Sequence, residues 1–297
     1  MRDGHWVKIV PSRALCGFSP SEFAELLVEL APVAEEDKRF REDRPGRKRA
    51  PGAGAKPQPF GVRLLVALTH LRQGISVRAT GAMFDVHERS VRRWRDELER
   101  LLVAHGVRPP GGGEPIRTLD DLAGFLQARG PEDYVIVDGT DVPRPRPVSW
   151  ENQRPAWSGK SRRHAVKGTV VTDAEGNPVW FEANPSGEGR TQDLTMLRSG
   201  ALVGVLALAG ITVLADLGYQ GLGSVVTGDV YTPRRRRPGR HPDRDDRIYN
   251  HAHAQARIRV EHGIARLKQW GAMRHHRRPP AALDSTGKAI TVLTSIR

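Results

Sequence analysis

The chain has 297 residues, which at about 100 to 200 residues per domain predicts two domains. Lys and Arg number 47 against 34 Asp and Glu, giving a formal net charge of +13, and an excess of that size points to a polyanionic partner whose condensed counterions are released on binding. A single cysteine, Cys16, excludes an internal disulfide framework and favours a reducing compartment. The N-terminus (MRDGHWVKIV) lacks the apolar core of a signal peptide. The longest apolar stretch, residues 201–215, is broken by Gly204 and Gly210 and falls short of the roughly 18 residues a spanning helix needs. The expectation is a soluble, intracellular protein with no membrane partner, whose 31 Gly and 22 Pro imply long loops.

In chain order, Ser19-Pro20-Ser21-Glu22 reads as a capping box with proline at the first helical position, followed by Phe23, Leu26, Leu27 and Leu30 at helical spacing. Residues 1–36 are therefore assigned to a docking-helix region. Residues 37–59, rich in Lys, Arg, Pro and Gly with no apolar period, are assigned to a basic linker.

Residues 60–105 read as three helices. Leu64, Leu65, Leu68 and Leu71 form one stripe closed by Gly74, Ser76 caps a second helix, and a third begins at Glu88 after the break Asp85-Val86-His87. The third carries Val91, Trp94, Leu98 and Leu101 on one face and Arg89, Arg92, Arg93 and Arg95 around the rest. Two helices joined by a short turn, the second rich in arginine, form the helix-turn-helix pattern, in which the second helix enters the major groove. A solvated helix of an ordinary bundle has the same periodicity; the net charge favours DNA.

Residues 106–117 (including GVRPPGGGE) are assigned to a second linker and 118–297 to a catalytic domain. Here strands join the helices. Residues 134–137 form a buried strand running into Asp138-Gly139, residues 164–172 and 177–182 a hairpin, 192–206 a helix, 211–215 a second buried strand, and 247–270 a long helix. This mixture predicts an α/β domain of about 170 residues.

Two places share one grammar, an apolar strand running straight into aspartate and then glycine: Val135-Ile136-Val137-Asp138-Gly139 and Val213-Leu214-Ala215-Asp216-Leu217-Gly218. A carboxylate at the end of a buried strand loses solvation unless something pairs with it, and a metal ion is one such partner; a turn or helix cap is the plainer alternative. On the long helix, at about 100° per residue, Arg257, Glu261 and Lys268 fall within roughly 40° of one another beside the apolar stripe Val260, Ile264 and Leu267. Read alone, Arg257 and Glu261 are also an ordinary i,i+4 ion pair.

The set Asp138-Gly139-Thr140, Gly159-Lys160 through Arg163-His164, Gly189 to Gln192-Asp193, Ala215-Asp216-Leu217-Gly218-Tyr219-Gln220-Gly221 and Arg257-x3-Glu261-x6-Lys268 resembles the DDE transposases of bacterial insertion sequences, in the branch related to Harbinger-type elements. The resemblance covers nearly the whole chain, because a docking helix and a helix-turn-helix also precede the catalytic domain in that family. It departs from the family at Ala254, where a tyrosine is usual, at Asp85, where glycine is frequent, and at His87, where Ser or Thr usually caps the recognition helix.

The resemblance implies a ribonuclease H-like catalytic domain, a mixed sheet flanked by helices, behind an all-α helix-turn-helix domain. Asp138, Asp216 and Glu261 are implied as ligands of two Mg²⁺ ions, with Mn²⁺ as a substitute, and Arg257 and Lys268 as the basic positions that orient DNA and the glutamate. It implies a transposase that binds the ends of its element, cleaves DNA and joins the 3′ ends to a target, acting as a homo-oligomer on DNA in the bacterial cytoplasm at the nucleoid. A helix-turn-helix regulator with a catalytically silent domain is the alternative, and the complete triad favours the enzyme. Arg89, Arg92, Arg93 and Arg95 of the third helix and Lys160, Arg162, Arg163 and His164 are the residues expected on DNA, and the basic run Arg234 to Arg237 with Arg240 reads as a solvated loop or as further phosphate contacts. Asp141 is the alternative first ligand, and Asp193 reads either as a first-turn helix residue or as a fourth acid.

Overall fold

The computed structural model describes residues 10–43, 58–130, 132–184, 186–235 and 243–296. Helix α1 (Pro20–Glu42) opens with the expected capping box, Ser19 accepting from the Glu22 amide while Glu22 accepts from the Ser19 amide. It continues six residues into the segment expected as linker; residues 44–57 of that basic run lie outside the described residues, as do Arg236, Arg237 and Arg240.

Helices α2 (Phe60–Gln73), α3 (Val77–Met83) and α4 (Glu88–His105) form the three-helix unit. Gly74 takes the left-handed conformation that ends α2 (φ 64°), and Ser76 accepts from Ala79 N to start α3. The turn shows how the departures at Asp85 and His87 are accommodated. Asp85 adopts φ 49°, a region Asp tolerates better than most residues, and His87 caps α4 by accepting from Arg89 N at 3.1 Å. An imidazole nitrogen thus does the work of a hydroxyl.

The second expected linker is only half a linker. Val107 and Ile116 pair as a β-bridge and are both buried, so the glycine-rich tip projects while its two ends are part of the core. Helix α5 (Leu119–Gln127) follows, then β1 (Tyr134–Pro143), α6 (Trp150–Ala156), β2 (Trp157–Ser158), β3 (Arg163–Thr172) and β4 (Pro178–Ala183). The remaining elements are α7 (Asp193–Ser199), α8 (Leu202–Ala209), β5 (Thr212–Ala215), β6 (Val230–Tyr231), α9 (Arg244–Lys268), α10 (Gly271–Arg274) and α11 (Leu283–Ser295).

The one helix expected over 192–206 is two, broken at Gly200. The Glu182 carboxylate crowds that position and accepts from the amides of Ala201 and Leu202, capping α8 from a neighbouring strand. Such a partner cannot be read from local sequence.

The sheet runs β4-β3-β1-β5-β6, with β2 adding to the far part of β3; β1 is antiparallel to β3 and parallel to β5, and β5 is parallel to β6. Together with the flanking helices this is the ribonuclease H-like arrangement, preceded by the three-helix unit. One hydrophobic cluster runs from Phe18 and Leu26 through Leu68 and Leu98 to Val137, Phe181 and Leu293, so the helical unit and the sheet share a core. Helix α11, absent from the sequence expectation, mediates much of that join. Glu99 of α4, nearly buried, binds Arg278 at 2.6 Å and accepts from Thr286 Oγ1 of α11 at 2.8 Å.

Candidate active site

The parallel register of β1 and β5 pairs Val137 with Ala215, so the next residues on the two strands, Asp138 and Asp216, stand side by side. This is the point where β5 ends beside β1, so one edge of β1 is open from Asp138 onward. The grammar of apolar strand and aspartate is therefore realised twice on neighbouring strands. β1 itself continues past Asp138 to Pro143, because β3 remains paired with it on the other edge.

Strand alternation puts Ile136 and Asp138 on one face of β1 and Leu214 and Asp216 on the same face of β5. Ile136, Leu214 and Val260 form a small separate cluster that seats α9 on this face. The helix rotation is set from the opposite flank. Arg259 donates to Ala174 O at 2.6 Å, Arg266 donates to Asn177 Oδ1 at 3.2 Å, and a side chain at Gly263 would strike Gly176 O at 2.7 Å. Nine residues are about 180° of helix, so Arg257 points away from Arg266 and toward the strand ends. Its guanidinium meets Asp138 Oδ2 at 3.1 Å.

Asp138 is 8% exposed. Burial pushes its carboxyl above the ordinary carboxylate range; Arg257 opposes that shift, the Asp216 charge adds to it, and the Gly139 amide (2.8 Å) and Lys160 lower it. The upward direction is what clustered acids require, although desolvation outweighs the repulsion between carboxylates. Lys268 is shifted down by burial, partly offset by Asp141 and Asp138, which places its ammonium in the same field. Asp216 caps the short 3₁₀ turn after β5 by accepting from Gly218 N at 2.7 Å.

Glu261 falls short of the expected convergence. Helical spacing sets it on the flank shared by Arg257 and Lys268, but its side chain is exposed, and among the described residues no hydrogen bond or ion pair engages its carboxylate. Nor are three or more His, Cys, Asp or Glu side chains gathered as a metal site among those residues. Arg257 is the α9 side chain that meets Asp138, and the third carboxylate set against the two strand ends comes from α7 rather than from α9.

An acid under-weighted by sequence lies closer. Asp193, the first residue of α7, is held by Lys167 of β3 at 2.8 Å. A Cβ on Gly139 would stand 2.7 Å from Asp193 Oδ1, and a Cβ on Gly218 would stand 2.9 Å from Asp193 Oδ2 and 2.9 Å from Asp216 Oδ1. The glycines of both strand-end motifs are thus explained by one carboxylate that fits against the two strand ends. Beneath it Tyr219 is fully buried, its hydroxyl pushed well up by burial and by Asp193, Asp138 and Asp216. The signal available in sequence was the pair of glycines, one and two residues after the aspartates. Asp141, the alternative ligand, is occupied by Ser158, whose hydroxyl donates to it at 2.5 Å.

Of the residues expected on DNA, Arg89, Arg92 and Arg93 are exposed on α4, Arg92 pairing with Glu88 at 3.3 Å. Arg95 is a correction. It is 8% exposed and its guanidinium binds Asp96 at 2.8 Å in the join between α4 and the C-terminal segment, so it is a structural cation. Lys160, Arg162 and Arg163 are exposed, Lys160 lying within electrostatic reach of Asp138, while His164 is half-buried with its pKa shifted down by burial and by Arg146 and Arg144.

The donor chemistry around Asp138 fits a hard divalent cation. The available ligands are carboxylate oxygens, and Asp138 is nearly buried at the strand end with Arg257 beside it. Among the described residues no helix is long and apolar enough to cross a membrane.

Residues 137–296 match the family described as DDE superfamily endonuclease, and residues 62–102 match a homeodomain-like domain. The chain is similar to the "Putative transposase for insertion sequence element IS112" of Streptomyces albus G, with 26% identity over 264 residues, covering 87% of this chain and 83% of that protein. It is also similar to the "Probable transposase for insertion sequence element IS702" of Microchaete diplosiphon, with 25% identity over 207 residues, covering 69% of this chain and 68% of that protein.

Proposed function

Because the chain belongs to the DDE superfamily of endonucleases, we propose that it is a transposase that binds the ends of an insertion element, cuts DNA there and joins the 3′ ends to a target. The observation that carries this reading is the pairing of Asp138 and Asp216 at the ends of adjacent parallel strands, with Arg257 reaching across from α9. The two similar proteins, both described as transposases of insertion elements, support it.

Asp138, Asp216 and Glu261 are the residues that would hold divalent cations, Mg²⁺ or Mn²⁺. Bound there, a pair of such ions supplies activation of the attacking oxygen and stabilisation of both oxygens of an in-line displacement. The chain's own residues do the rest. Arg257 pairs with Asp138 and orients it, and Glu261, unengaged on the same flank, is available to complete the donor set. Lys268 and Lys160 attract the phosphates toward the acids. Asp193, clamped by Lys167, braces both strand ends. Exposed arginines Arg89, Arg92 and Arg93 of α4 hold the element end by its phosphates and base edges.

An element has two ends, and each chain has one such cluster among the described residues, so the working form is a homo-oligomer assembled on DNA. Its compartment is the cytoplasm, where nucleoid DNA lies. Purified protein incubated with the flanking ends of its own genomic copy and Mg²⁺ should release 3′ ends at the element boundary and join them to a supercoiled target. Binding without any cleavage would instead favour a regulator.

A further inference from the structure

Between β1 and β3 the chain makes an excursion through α6 and β2. It contains six Lys or Arg and one Glu between Arg144 and His164, and it exposes two large indoles: Trp150 is 78% exposed and Trp157 is 44% exposed. The tryptophans Trp94, Trp180 and Trp270 are all buried, which is the usual fate of so large an apolar ring. The excursion is not loose. Its β2 pairs with β3 through Trp157↔His164 and Ser158↔Arg163, and Arg144 N donates to His164 O at 2.9 Å. It is also tied to the catalytic strand, since Ser158 Oγ donates to Asp141 Oδ2 at 2.5 Å. Asp141 lies three residues beyond Asp138, a distance of about 10 Å along a strand. The Trp157 ring meets His164 in a T-shaped contact with centroids 5.3 Å apart, which holds it in one orientation.

We propose that this excursion is a stacking platform for unpaired nucleotides, with Trp157 and Trp150 as the stacking surfaces and the surrounding arginines and Lys160 tracking the backbone. The proposal deepens the transposase reading and rests on it for the identity of the DNA. A duplex presents only base edges in its grooves, so an exposed indole face gains a partner when a base has left the stack. Exposed aromatics interleaved with cations are the chemistry that binds single strands without reading their sequence. A second copy of the chain is a poor occupant, because this cationic segment packed on itself would bring like charges together. Seated here, an unpaired nucleotide next to the scissile phosphate would fix the strand relative to Asp138 and Asp216.

The test needs neither metal nor cleavage. Anisotropy of a labelled oligothymidylate and of a duplex of equal length is measured at one salt concentration in EDTA, with the full chain and with Trp150→Ala, Trp157→Ala and Trp157→Phe. Each alanine variant should bind the single strand about five- to a hundredfold more weakly, with duplex affinity unchanged. Trp157→Phe should bind as the wild type does, and the single strand should quench the tryptophan fluorescence of the wild type. Trp150, the more exposed ring, carries the test if Trp157→Ala lowers the thermal midpoint. Unchanged single-strand affinity in Trp150→Ala and Trp157→Ala would overturn the platform. So would equal losses on duplex, or self-association that the alanine variants abolish. Failure of the wild type to bind duplex would count against the transposase reading instead, since the single-strand comparison is separate from it.

Discussion

The Arg257 guanidinium meets Asp138 Oδ2 at 3.1 Å, bridging α9 and β1 between two side chains that are each less than one-sixth exposed. Burial raises the Asp138 carboxyl and Arg257 lowers it, so the pair's contribution depends on pH. Removing one partner of a buried pair costs about 3 to 5 kcal/mol. Arg257→Ala should show a loss near that size at neutral pH. As pH falls through the raised Asp138 value the carboxyl takes up a proton and the loss should shrink, because a neutral acid no longer needs the cation. Thermal midpoints of the wild type and Arg257→Ala at neutral and acidic pH check this; a difference independent of pH would contradict it.

Asp138→Asn, Asp216→Asn and Glu261→Gln should each abolish divalent-dependent DNA cleavage while leaving duplex binding within about twofold. The amides are nearly isosteric with the acids, but they are poorer ligands for a hard cation. Glu261 is the informative member, since it stands exposed and outside the Asp138–Asp216 pair. Full cleavage by Glu261→Gln would move the third-ligand role elsewhere, with Asp193 the nearest acid to both strand ends.

Crowding at Gly139 predicts a coupled pair. Gly139→Ala places a methyl 2.7 Å from Asp193 Oδ1, and the Lys167 bridge at 2.8 Å hinders that carboxylate from moving aside. Overpacking of this kind costs about 1 to 3 kcal/mol. In an Asp193→Ala background the methyl has room, so the double variant should be more stable than the sum of the single effects by about 0.5 kcal/mol or more. Urea titrations of the four proteins give the coupling directly, and strict additivity would show that Asp193 does not fill this space.

How much of this was legible beforehand depended on the range of the interaction. Asp138 and Asp216 were marked by an apolar run ending in an acid, a local pattern that strand burial enforces. Arg257, Glu261 and Lys268 were marked by helical spacing, and the structure keeps them on one flank. Arg95 lies on a face that reads as polar by periodicity, yet the fold leaves it 8% exposed and paired with Asp96, whose carboxylate also binds distant Arg278. Glu99 and the Glu182 cap of α8 were invisible for the same reason, their partners being more than fifteen residues away. The closeness of Asp193 to the strand ends depends on how the fold brings α7 against Gly139 and Gly218, and in the sequence only those two glycines hint at it.

On α4, Arg89→Ala and Arg93→Ala should weaken duplex binding and each flatten the dependence of log affinity on log salt by about 0.9 if it contacts one phosphate. Arg95→Ala should behave differently, lowering stability while leaving the salt slope of the surviving folded protein unchanged. Filter binding across a salt series with all three variants separates the two roles. A flattened slope in Arg95→Ala would put that side chain on DNA after all.

The join between α4 and the C-terminal segment should be the acid-sensitive part of the molecule. His70, on α2, and His276, beyond α10, are both brought down to about 4, chiefly by burial, with Arg95 and Arg278 adding to the effect in each case. A histidine whose folded value is depressed contributes stability above its unfolded value, near 6.5, and loses that contribution as pH falls toward the folded one. Stability should therefore decline between about pH 6.5 and pH 4. Protonation there adds charge beside Arg95 and Arg278, and Arg278 is the cation that Glu99 binds at 2.6 Å. Amide hydrogen exchange at pH 7 and pH 5, after correction for the intrinsic rate, should show α4 and α11 losing protection together while β1 and β5 change less. His70→Gln and His276→Gln should each flatten the acid decline, because a glutamine does not titrate. Equal loss of protection in α11 and β1 would instead place the acid sensitivity in the whole fold.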